Sequence, residues 1–394
     1  MTTAVDTAAL EQSDHLEQFG LLALFAVAGA LQFSIAVAET LLAVAILCWI
    51  ALLVTNRERF AAPSFFWPLL AYAAASLVSA WFSPDPRVSL MACKQMVLFL
   101  LVPVVYRLAA GSRATTMVTV IISCAAASAA IGIFQYGILH YDHLGQRPQG
   151  TLGHYMTYSG LLMLVIGAAL ARILFGHRDR TWAALVMPAL LAAVVLTFTR
   201  SAWVGACAAA ALLLALKDFR LLAALPVVAA LFFALAPATI TDRFMSMFDL
   251  KDPTTRDRVA MLREGEHMIR THPFVGIGPN MVQELYTVYR DPEAVKDVNP
   301  HLHNVPVQIA AERGLPALAI WLLFIGSLLV ALARSFVSGN RILAAAGLAA
   351  VVAMLAAGMF EYNFGDSEFL MLFLILVTLP FAAARSETRD PATP

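Results

Sequence analysis

The chain has 394 residues, of which 60% are hydrophobic and only 13% are charged. This balance excludes an ordinary soluble domain and is typical of a polytopic membrane protein. Basic and acidic residues are equal at 26 each, so the net charge favours neither anionic nor cationic partners. The composition predicts an all-α integral membrane protein.

The apolar runs of the chain predict about twelve transmembrane helices, because a helix needs roughly 20 apolar residues to cross a bilayer. The first run, 19–54, is long enough for two spans and is broken near 32–39. The other expected spans are 63–81, 91–107, 115–135, 155–174, 182–198, 202–216, 221–235, 305–333, 342–359 and 369–384. The chain therefore divides into nine helices with short loops (1–236), one long polar loop with short helices (237–304), and three helices with a short tail (305–394).

Basic residues predict which side of the membrane each loop faces, because cytoplasmic loops collect Lys and Arg. If the chain starts inside, every inner gap contains two or three of them: Arg57, Arg59, Arg107, Arg113, Arg172, Arg178, Arg180, Lys217, Arg220, Arg334, Arg341, Arg385 and Arg389. We therefore expect both termini in the cytoplasm and the 237–304 loop outside. The absence of a Gly-rich phosphate loop on the inner side argues against a nucleotide-driven machine.

Within the long loop, residues 254–270 predict an amphipathic helix at the membrane interface, with Asp252 as its cap and Pro253 in its first turn. Polar residues are expected on its other faces, namely Arg256, Asp257, Arg263, Glu264 and Arg270. We interpret Arg263 and Arg270 as part of an amphipathic helix that caps the bundle. The Gly- and Pro-rich stretch 272–280 predicts a structural turn.

Arg200 and Ser201 lie in a very short outer connection, at the start of a predicted helix. Ionisable residues at that depth are costly and are generally functional, and a helix N-terminus favours anions. The two residues therefore predict a phosphate site, with snorkelling to lipid head groups as the alternative. Arg147, in another outer gap, would suit the second phosphoryl group of a diphosphate, although a surface loop is an equal alternative.

His301 and His303 end the long loop, just before a helix expected near Val305 with Asn304 as its cap. A neutral imidazole at a helix N-terminus would suit a general base. A His-x-His pair also binds zinc, but we find no carboxylate spaced as a partner and no nearby Cys. The sequence therefore predicts catalysis without a metal, and leaves open which histidine is the base.

Several short motifs resemble the O-antigen ligase and polymerase superfamily, polytopic glycosyltransferases of the GT-C class. They are residues 147–154, 199–203, Arg258 with 272–278, and 303–304 followed by 312–315. The resemblance implies transfer of a preassembled glycan from undecaprenyl pyrophosphate to an acceptor hydroxyl at the periplasmic face of the bacterial inner membrane. It implies no cofactor, metal, nucleotide or nucleic acid, and only membrane lipids as further partners.

The resemblance also assigns roles to residues of the outer face. Arg147 and Arg200 would hold the pyrophosphate, and His303 would take the proton of the attacking hydroxyl in an inverting displacement. Arg258 would support the phosphate and His301 would orient His303, with Ser201 and Asn304 among the substrate-binding residues. The bundle would supply a lateral groove for the isoprenoid.

Three other activities remain open beside an O-antigen ligase acting on lipid A core oligosaccharide. Two belong to the same superfamily, an O-antigen polymerase and a protein O-oligosaccharyltransferase. Such relatives often have additional carboxy-terminal domains, whereas this sequence ends ten residues after the last predicted span, which favours the ligase. A transporter of an anionic lipid or solute is the alternative of another class, but the spans contain almost no charge for a transport pathway.

Overall fold

The computed structural model describes residues 2–176, 180–249 and 251–385, and helices dominate these residues. Beside a single bridge between His143 and Gln146, they contain no β-structure. In chain order the α-helices are α1 (Thr2–Ala30), α2 (Ile35–Thr55), α3 (Phe66–Trp81), α4 (Pro86–Ala92), α5 (Leu101–Leu108), α6 (Ser112–Gly137), α7 (Tyr155–Phe175), α8 (Arg180–Leu196), α9 (Arg200–Lys217), α10 (Ala224–Leu235), α11 (Ala238–Met245), α12 (Pro253–Thr271), α13 (Met281–Glu284), α14 (Tyr286–Tyr289), α15 (Val305–Val337), α16 (Arg341–Gly358) and α17 (Ser367–Ala384). The all-α prediction is confirmed. Of the predicted inner basic residues, Arg178 and Arg389 lie outside the described residues.

The helices support a multi-pass architecture. Within the described residues, eight helical stretches are long and apolar enough to cross a membrane: Ile35–Thr55, Pro86–Leu108, Ser112–Gly137, Tyr155–Phe175, Arg200–Lys217, Val305–Val337, Arg341–Gly358 and Ser367–Ala384. The apolar helices α3 and α8 have 16 and 17 residues, fewer than the roughly 20 that a bilayer requires. The polytopic prediction is confirmed, but the count of twelve spans is not.

The centre of the bundle is α16, which packs against α7, α9, α15 and α17. Small residues allow this close packing, which stabilises helix association in a bilayer. A Cβ added to Gly205 of α9 would lie 2.1 Å from Met163 Sδ and 2.9 Å from the carbonyl oxygen of Ala353. The first turn of α9, with Arg200, is therefore held close to the end of α16.

One end of the bundle, here called the closed end, is joined by ion pairs between residues of different helices and of the segment after α2. Arg107, at the end of α5, contacts Glu17 at 2.9 Å and Glu58 at 2.7 Å. Arg113, at the start of α6, contacts the second oxygen of Glu17 at 2.6 Å. These buried and half-buried charges connect the α1, α2, α5 and α6 regions.

The opposite end, here called the loop end, carries α11 to α14. As predicted, Asp252 caps α12 and accepts the backbone N–H groups of Thr254 and Thr255, and Pro253 occupies the first turn. A capping Asp and a Pro at this position both favour a helix start. Helix α12 packs against α15.

Two acidic residues of α12 do not occupy the exposed faces where the sequence placed them. Asp257 is 3% exposed and Glu264 is 1% exposed. Asp257 Oδ1 accepts the backbone N–H groups of Val295 and Lys296, and Glu264 Oε1 accepts that of Asp291. The expectation of solvated side chains was wrong because the loop before α15 folds back over this side of α12. Backbone N–H groups of that loop donate hydrogen bonds to both carboxylates.

The turn after α12 has the structural role that the sequence predicted. The N–H of Ile277 donates to the carbonyl of Ala311 in α15 at 2.9 Å. Gly276 and Gly314 both have positive φ, at 69° and 83°, a conformation that glycine adopts without steric cost. A Cβ on Gly276 would lie 2.3 Å from the carbonyl oxygen of Glu312. The turn therefore clamps the polar loop onto α15.

Candidate active site

A polar cavity of ≈ 250 Å³ opens at the loop end, between the starts of α7, α9 and α12 and the loop before α15. We call it the cationic cavity, because five basic side chains line it: Arg147, Arg200, Arg243, Arg258 and Lys296. Asp257 is the single carboxylate among its lining residues, and it already accepts two backbone N–H groups. The cavity therefore has an excess of positive charge.

Arg200 is the first residue of α9 and is only 5% exposed. Its Nη1 donates to Ser246 Oγ at 3.0 Å. Its Nη2 lies 3.6 Å from Asp252 Oδ1 and has no hydrogen-bond partner. A buried guanidinium with an unused donor, at a helix N-terminus whose dipole also favours anions, is suited to a phosphoryl group. Ser201 follows it and lines the same cavity.

Arg147 reaches the cavity from the loop before α7. Its Nε donates to the carbonyl of Leu144 at 3.0 Å, and its guanidinium lies 4.2 Å from the centre of the Tyr155 ring. Burial lowers the pKa of Arg147, Tyr155 opposes this, and the charge of Arg200 adds to the lowering. The two arginines expected to form one phosphate site therefore do lie in one cavity.

Arg243, on the short helix α11, is a further cation that the sequence analysis missed. Its Nε donates to the carbonyl of Phe198 at 3.4 Å. Burial lowers the pKa of Arg243 to about 10, and the charges of Arg200 and Arg147 add to this. The sequence signal was only one basic residue on an eight-residue amphipathic helix after an apolar run.

Arg258 and Lys296 complete the set of cations. Arg258 projects from α12, and burial lowers its pKa, while Glu361 acts in the opposite direction. Lys296 lies on the loop whose backbone N–H groups bind Asp257. Arg258 was predicted to support the phosphate, and its side chain lines the same cavity as Arg200. Lys296 was not predicted as a site residue.

His303 also lines the cationic cavity, and its Nδ1 lies 2.9 Å from Glu361 Oε2. Burial would raise the pKa of Glu361, but the charge and hydrogen bond of His303, with the charges of His301 and Arg258, lower it to about 2. The ionised carboxylate favours the tautomer with hydrogen on Nδ1 and leaves Nε2 free to accept a proton. His303 has a φ of 49°, an uncommon backbone conformation for a non-glycine residue.

His301 stacks edge-on against His303, with ring centres 4.1 Å apart, and its Nε2 lies 3.6 Å from Glu361 Oε1. Burial, together with the charge of His303, lowers the pKa of His301 to about 4. His301 is therefore neutral near pH 7. His301 was expected to orient His303, but it contacts His303 only through its ring. The hydrogen bond that orients His303 is the one with Glu361.

His301, His303 and Glu361 also form a group whose ligand atoms lie within 4.8 Å of one another. The sequence-based argument that no carboxylate was available as a third ligand is therefore wrong. It failed because Glu361 is 58 residues beyond His303 and is brought back by the hairpin of α15 and α16. Three ligands with an open position also suit a catalytic zinc, so catalysis without a metal stays a prediction.

Asn304 has a structural position rather than one facing the cavity. As predicted, it caps α15, and its Oδ1 accepts the N–H of Val307 at 3.0 Å. Its Nδ2 donates to the carbonyl of Met359 at 3.1 Å. With both ends of its amide bonded, Asn304 fixes the start of α15 beside the end of α16.

An apolar cavity of ≈ 600 Å³ adjoins the cationic cavity. The two share Arg200, Ser201, Arg258 and His303. Its apolar lining consists of Trp203, Val204, Phe244, Met247, Phe248, Val259, Leu262, Leu302, Met359 and Phe360. A long hydrocarbon chain in the apolar cavity would therefore place an attached anionic group among the arginines.

These features define a multi-pass membrane protein with a buried cationic cavity beside a His–Glu pair. Residues 185–322 match the family model described as O-antigen ligase. This match supports the assignment of the chain to the O-antigen ligase and polymerase superfamily, whose members are glycosyltransferase-like enzymes. The matched range includes Arg200, Arg243, Arg258 and His303, but not Arg147 or Glu361. A search of the curated proteins found no match.

Proposed function

We propose that this protein is an O-antigen ligase, which transfers a preassembled glycan from undecaprenyl pyrophosphate to a hydroxyl of the lipid A core oligosaccharide. The observation that carries the proposal is the convergence of Arg147, Arg200 and Arg258 with His303 in one cavity. The family supports a lipid-linked glycan and a lipid-anchored acceptor as partners. No cofactor or nucleotide is part of the proposed reaction.

The leaving group explains the concentration of arginines. As the bond between the anomeric carbon and the pyrophosphate oxygen breaks, negative charge develops on the pyrophosphate. Preorganised donors in a buried site stabilise such charge more effectively than water does. We assign this role to Arg147 and Arg200, with Arg258 and the unpredicted Arg243 as further contacts to the phosphoryl oxygens.

His303 activates the acceptor hydroxyl. Its Nε2 takes the proton of the acceptor hydroxyl as that oxygen forms its bond to the anomeric carbon, and the pyrophosphate leaves with the electrons of the broken bond. The negative charge of Glu361 stabilises the imidazolium that results, through the 2.9 Å contact with Nδ1. The displacement is single and inverts the anomeric configuration, so it needs no covalent intermediate with the enzyme.

The apolar cavity provides a place for the isoprenoid tail. Its volume of ≈ 600 Å³ and its mainly aromatic and aliphatic lining suit a hydrocarbon chain. Several of its residues are exposed, including Phe248 and Met359, which supports an opening of this cavity at the surface of the bundle. We therefore propose lateral entry of the donor from the bilayer, with the loop end at the periplasmic face and both termini in the cytoplasm.

Activities within the same superfamily share this donor and differ in the acceptor. An O-antigen polymerase would use a second lipid-linked glycan, and a protein O-oligosaccharyltransferase would use Ser or Thr. A transporter of an anionic lipid would also need the cationic cavity, but it would have no use for the ionised carboxylate on His303. That His303–Glu361 contact favours transfer chemistry over transport.

The deciding experiment is transfer by the purified protein in detergent, with lipid-linked glycan, lipid A core acceptor and EDTA. We expect glycan on the acceptor with the unmodified chain. His303→Ala should reduce the rate by about 10²- to 10⁴-fold, the usual contribution of a general base. Glu361→Gln should reduce it by at least about tenfold, because a Gln amide allows the unproductive tautomer. His272→Ala, at an exposed histidine of the same end, is the matched control.

The outcomes separate the candidate functions. Lengthening of the lipid-linked glycan without transfer to the core acceptor would assign a polymerase. Activity lost with EDTA and restored by zinc would replace the metal-free mechanism with one in which His301, His303 and Glu361 are ligands. No reaction in a folded sample would favour transport, and full activity of His303→Ala would refute the role of His303.

A further inference from the structure

A second polar pocket of ≈ 220 Å³ lies beside the cationic cavity, with which it shares Met156 and Ser201. It differs from that cavity in charge, since its lining includes no Lys or Arg. The carboxylates of Glu361 and Asp366 line it instead. We call it the acidic pocket. A phosphoryl group would be repelled there and attracted to its neighbour.

Two buried polar atoms on residues of the acidic pocket have no hydrogen-bond partner. They are Nδ1 of His301 and Oδ1 of Asn363. Asn363 is only 7% exposed, and its Nδ2 donates to the carbonyl of Met354 at 3.2 Å. Buried polar atoms are nearly always bonded in folded proteins, so unsatisfied ones call for an explanation. Both residues line the same small pocket, which makes that pocket a candidate site for a polar ligand.

The acidic pocket also contains a connected set of polar groups. The hydroxyl of Thr157 donates to Asp366 Oδ2 and lies 3.2 Å from His154 Nδ1. Asp366 Oδ1 caps α17 by accepting the N–H of Phe369 at 2.9 Å. The carboxylate is therefore fixed in position and retains lone pairs for further hydrogen bonds.

We infer that the acidic pocket binds the sugar ring next to the bond that is made or broken. This inference rests on the proposed transfer function. Sugar hydroxyls are the donors that ionised carboxylates and amide oxygens accept, and a pocket of this size admits one ring rather than an oligosaccharide. Glu361 links the two sites, since it lines the acidic pocket and also holds His303. The ring belongs either to the donor glycan or to the acceptor.

Asp366→Asn is the test variant, because Asn also caps helices while the negative charge is lost. Hydrogen bonds to charged groups contribute substantially to the free energy of binding. We therefore expect loss of the charge to raise the KM of one substrate about ten- to hundredfold. The kcat at saturation should change by less than about threefold, as for uniform binding. Asp85→Asn is the matched control, since Asp85 also caps a helix, α4, through its carboxylate but lies outside the acidic pocket.

The two substrates are varied separately. A rise in KM for the lipid-linked glycan assigns the pocket to the first sugar of the donor, and a rise for the core oligosaccharide assigns it to the acceptor. Unchanged KM values, or a loss of kcat alone, would overturn the inference. Equilibrium binding of each substrate to the same variants gives a readout that needs no turnover. If the unmodified chain transfers nothing, weaker binding by Asp366→Asn alone still supports a sugar pocket, and equal binding refutes it.

Discussion

Each end of the bundle contains a buried arginine, but only the arginine at the closed end is closely paired with carboxylates. At the closed end, Arg107 contacts both Glu17 and Glu58 within 3 Å. At the loop end, Arg200 has a carboxylate only at 3.6 Å and leaves one guanidinium nitrogen without a hydrogen-bond partner. Both side chains are similarly buried, with 7% and 4% of their surface exposed. Burial is therefore equal, and only the neutralisation of charge differs.

The difference indicates which arginine serves the fold and which serves a ligand. A buried charge is stabilised only when it is paired and hydrogen-bonded. Arg107 meets this condition through Glu17 and Glu58, so it joins the end of α5 to α1 and to the segment after α2. Arg200, with one nitrogen left without a hydrogen bond, would meet it fully if an anion entered the cationic cavity as we propose. A diphosphate would supply the missing negative charge.

Replacing each of these two arginines in turn tests the comparison most strongly. Arg200→Ala should weaken binding of the lipid-linked donor by about a hundredfold, because charge-assisted hydrogen bonds are lost, and Arg200→Lys should restore only part of it. Arg107→Ala should instead destabilise the fold by about 3 kcal/mol, since it removes the guanidinium that two largely buried carboxylates share. Donor binding and thermal unfolding, measured on both variants, separate the effects. Normal donor binding by Arg200→Ala would contradict the phosphate assignment.

The loop end should also be the end that acid weakens first. The pKa of His301 is lowered from 6.5 to about 4, so in this interval the unfolded chain binds more protons than the folded one. Stability is then lost as the pH falls, by about 2 kcal/mol between about pH 7 and about pH 5. The pKa of Glu361 is lowered from 4.5 to about 2, so this carboxylate further reduces the free energy of unfolding mainly at lower pH. Unfolding measured at both pH values should show the loss, and His301→Asn should abolish most of it.

The smallest effects should distinguish Arg243 from a surface arginine of the same end. Arg243→Ala should weaken donor binding about tenfold, since one charged contact among several is removed. Arg270, whose side chain is 76% exposed and pairs with Glu266 one helical turn away, should contribute nothing measurable. Equal donor affinities for the two Ala variants would exclude Arg243 from the site.

Much of this organisation could be predicted because it is local in sequence. Apolar runs predicted the helices, and Asp252 and Asn304 predicted the starts of α12 and α15. Arg200 was recognised because a charge in a very short connection between apolar runs needs a reason to be there. The caps and the depth of the charge both depend on a few neighbouring residues.

The missing parts depend on tertiary contacts. Glu361 reaches His303 only through the α15–α16 hairpin, so no spacing relation connects them. Its one sequence signal is a carboxylate in the short polar gap after α16. Asp257 and Glu264 resemble a solvated helix face until the following loop folds over them. The number of spans is uncertain from sequence because helices such as α3 are shorter than a bilayer-crossing helix.

The clamp between Gly276 and α15 has a genetic consequence. A side chain at Gly276 would collide with the backbone of Glu312, and one at Gly314 with the carbonyl oxygen of Phe274, at 2.3 and 2.2 Å. Neither glycine lines the cationic cavity, yet substitution of either would displace the loop that carries His303. Substitutions at these two glycines should therefore inactivate the protein, although neither residue lines the cavity.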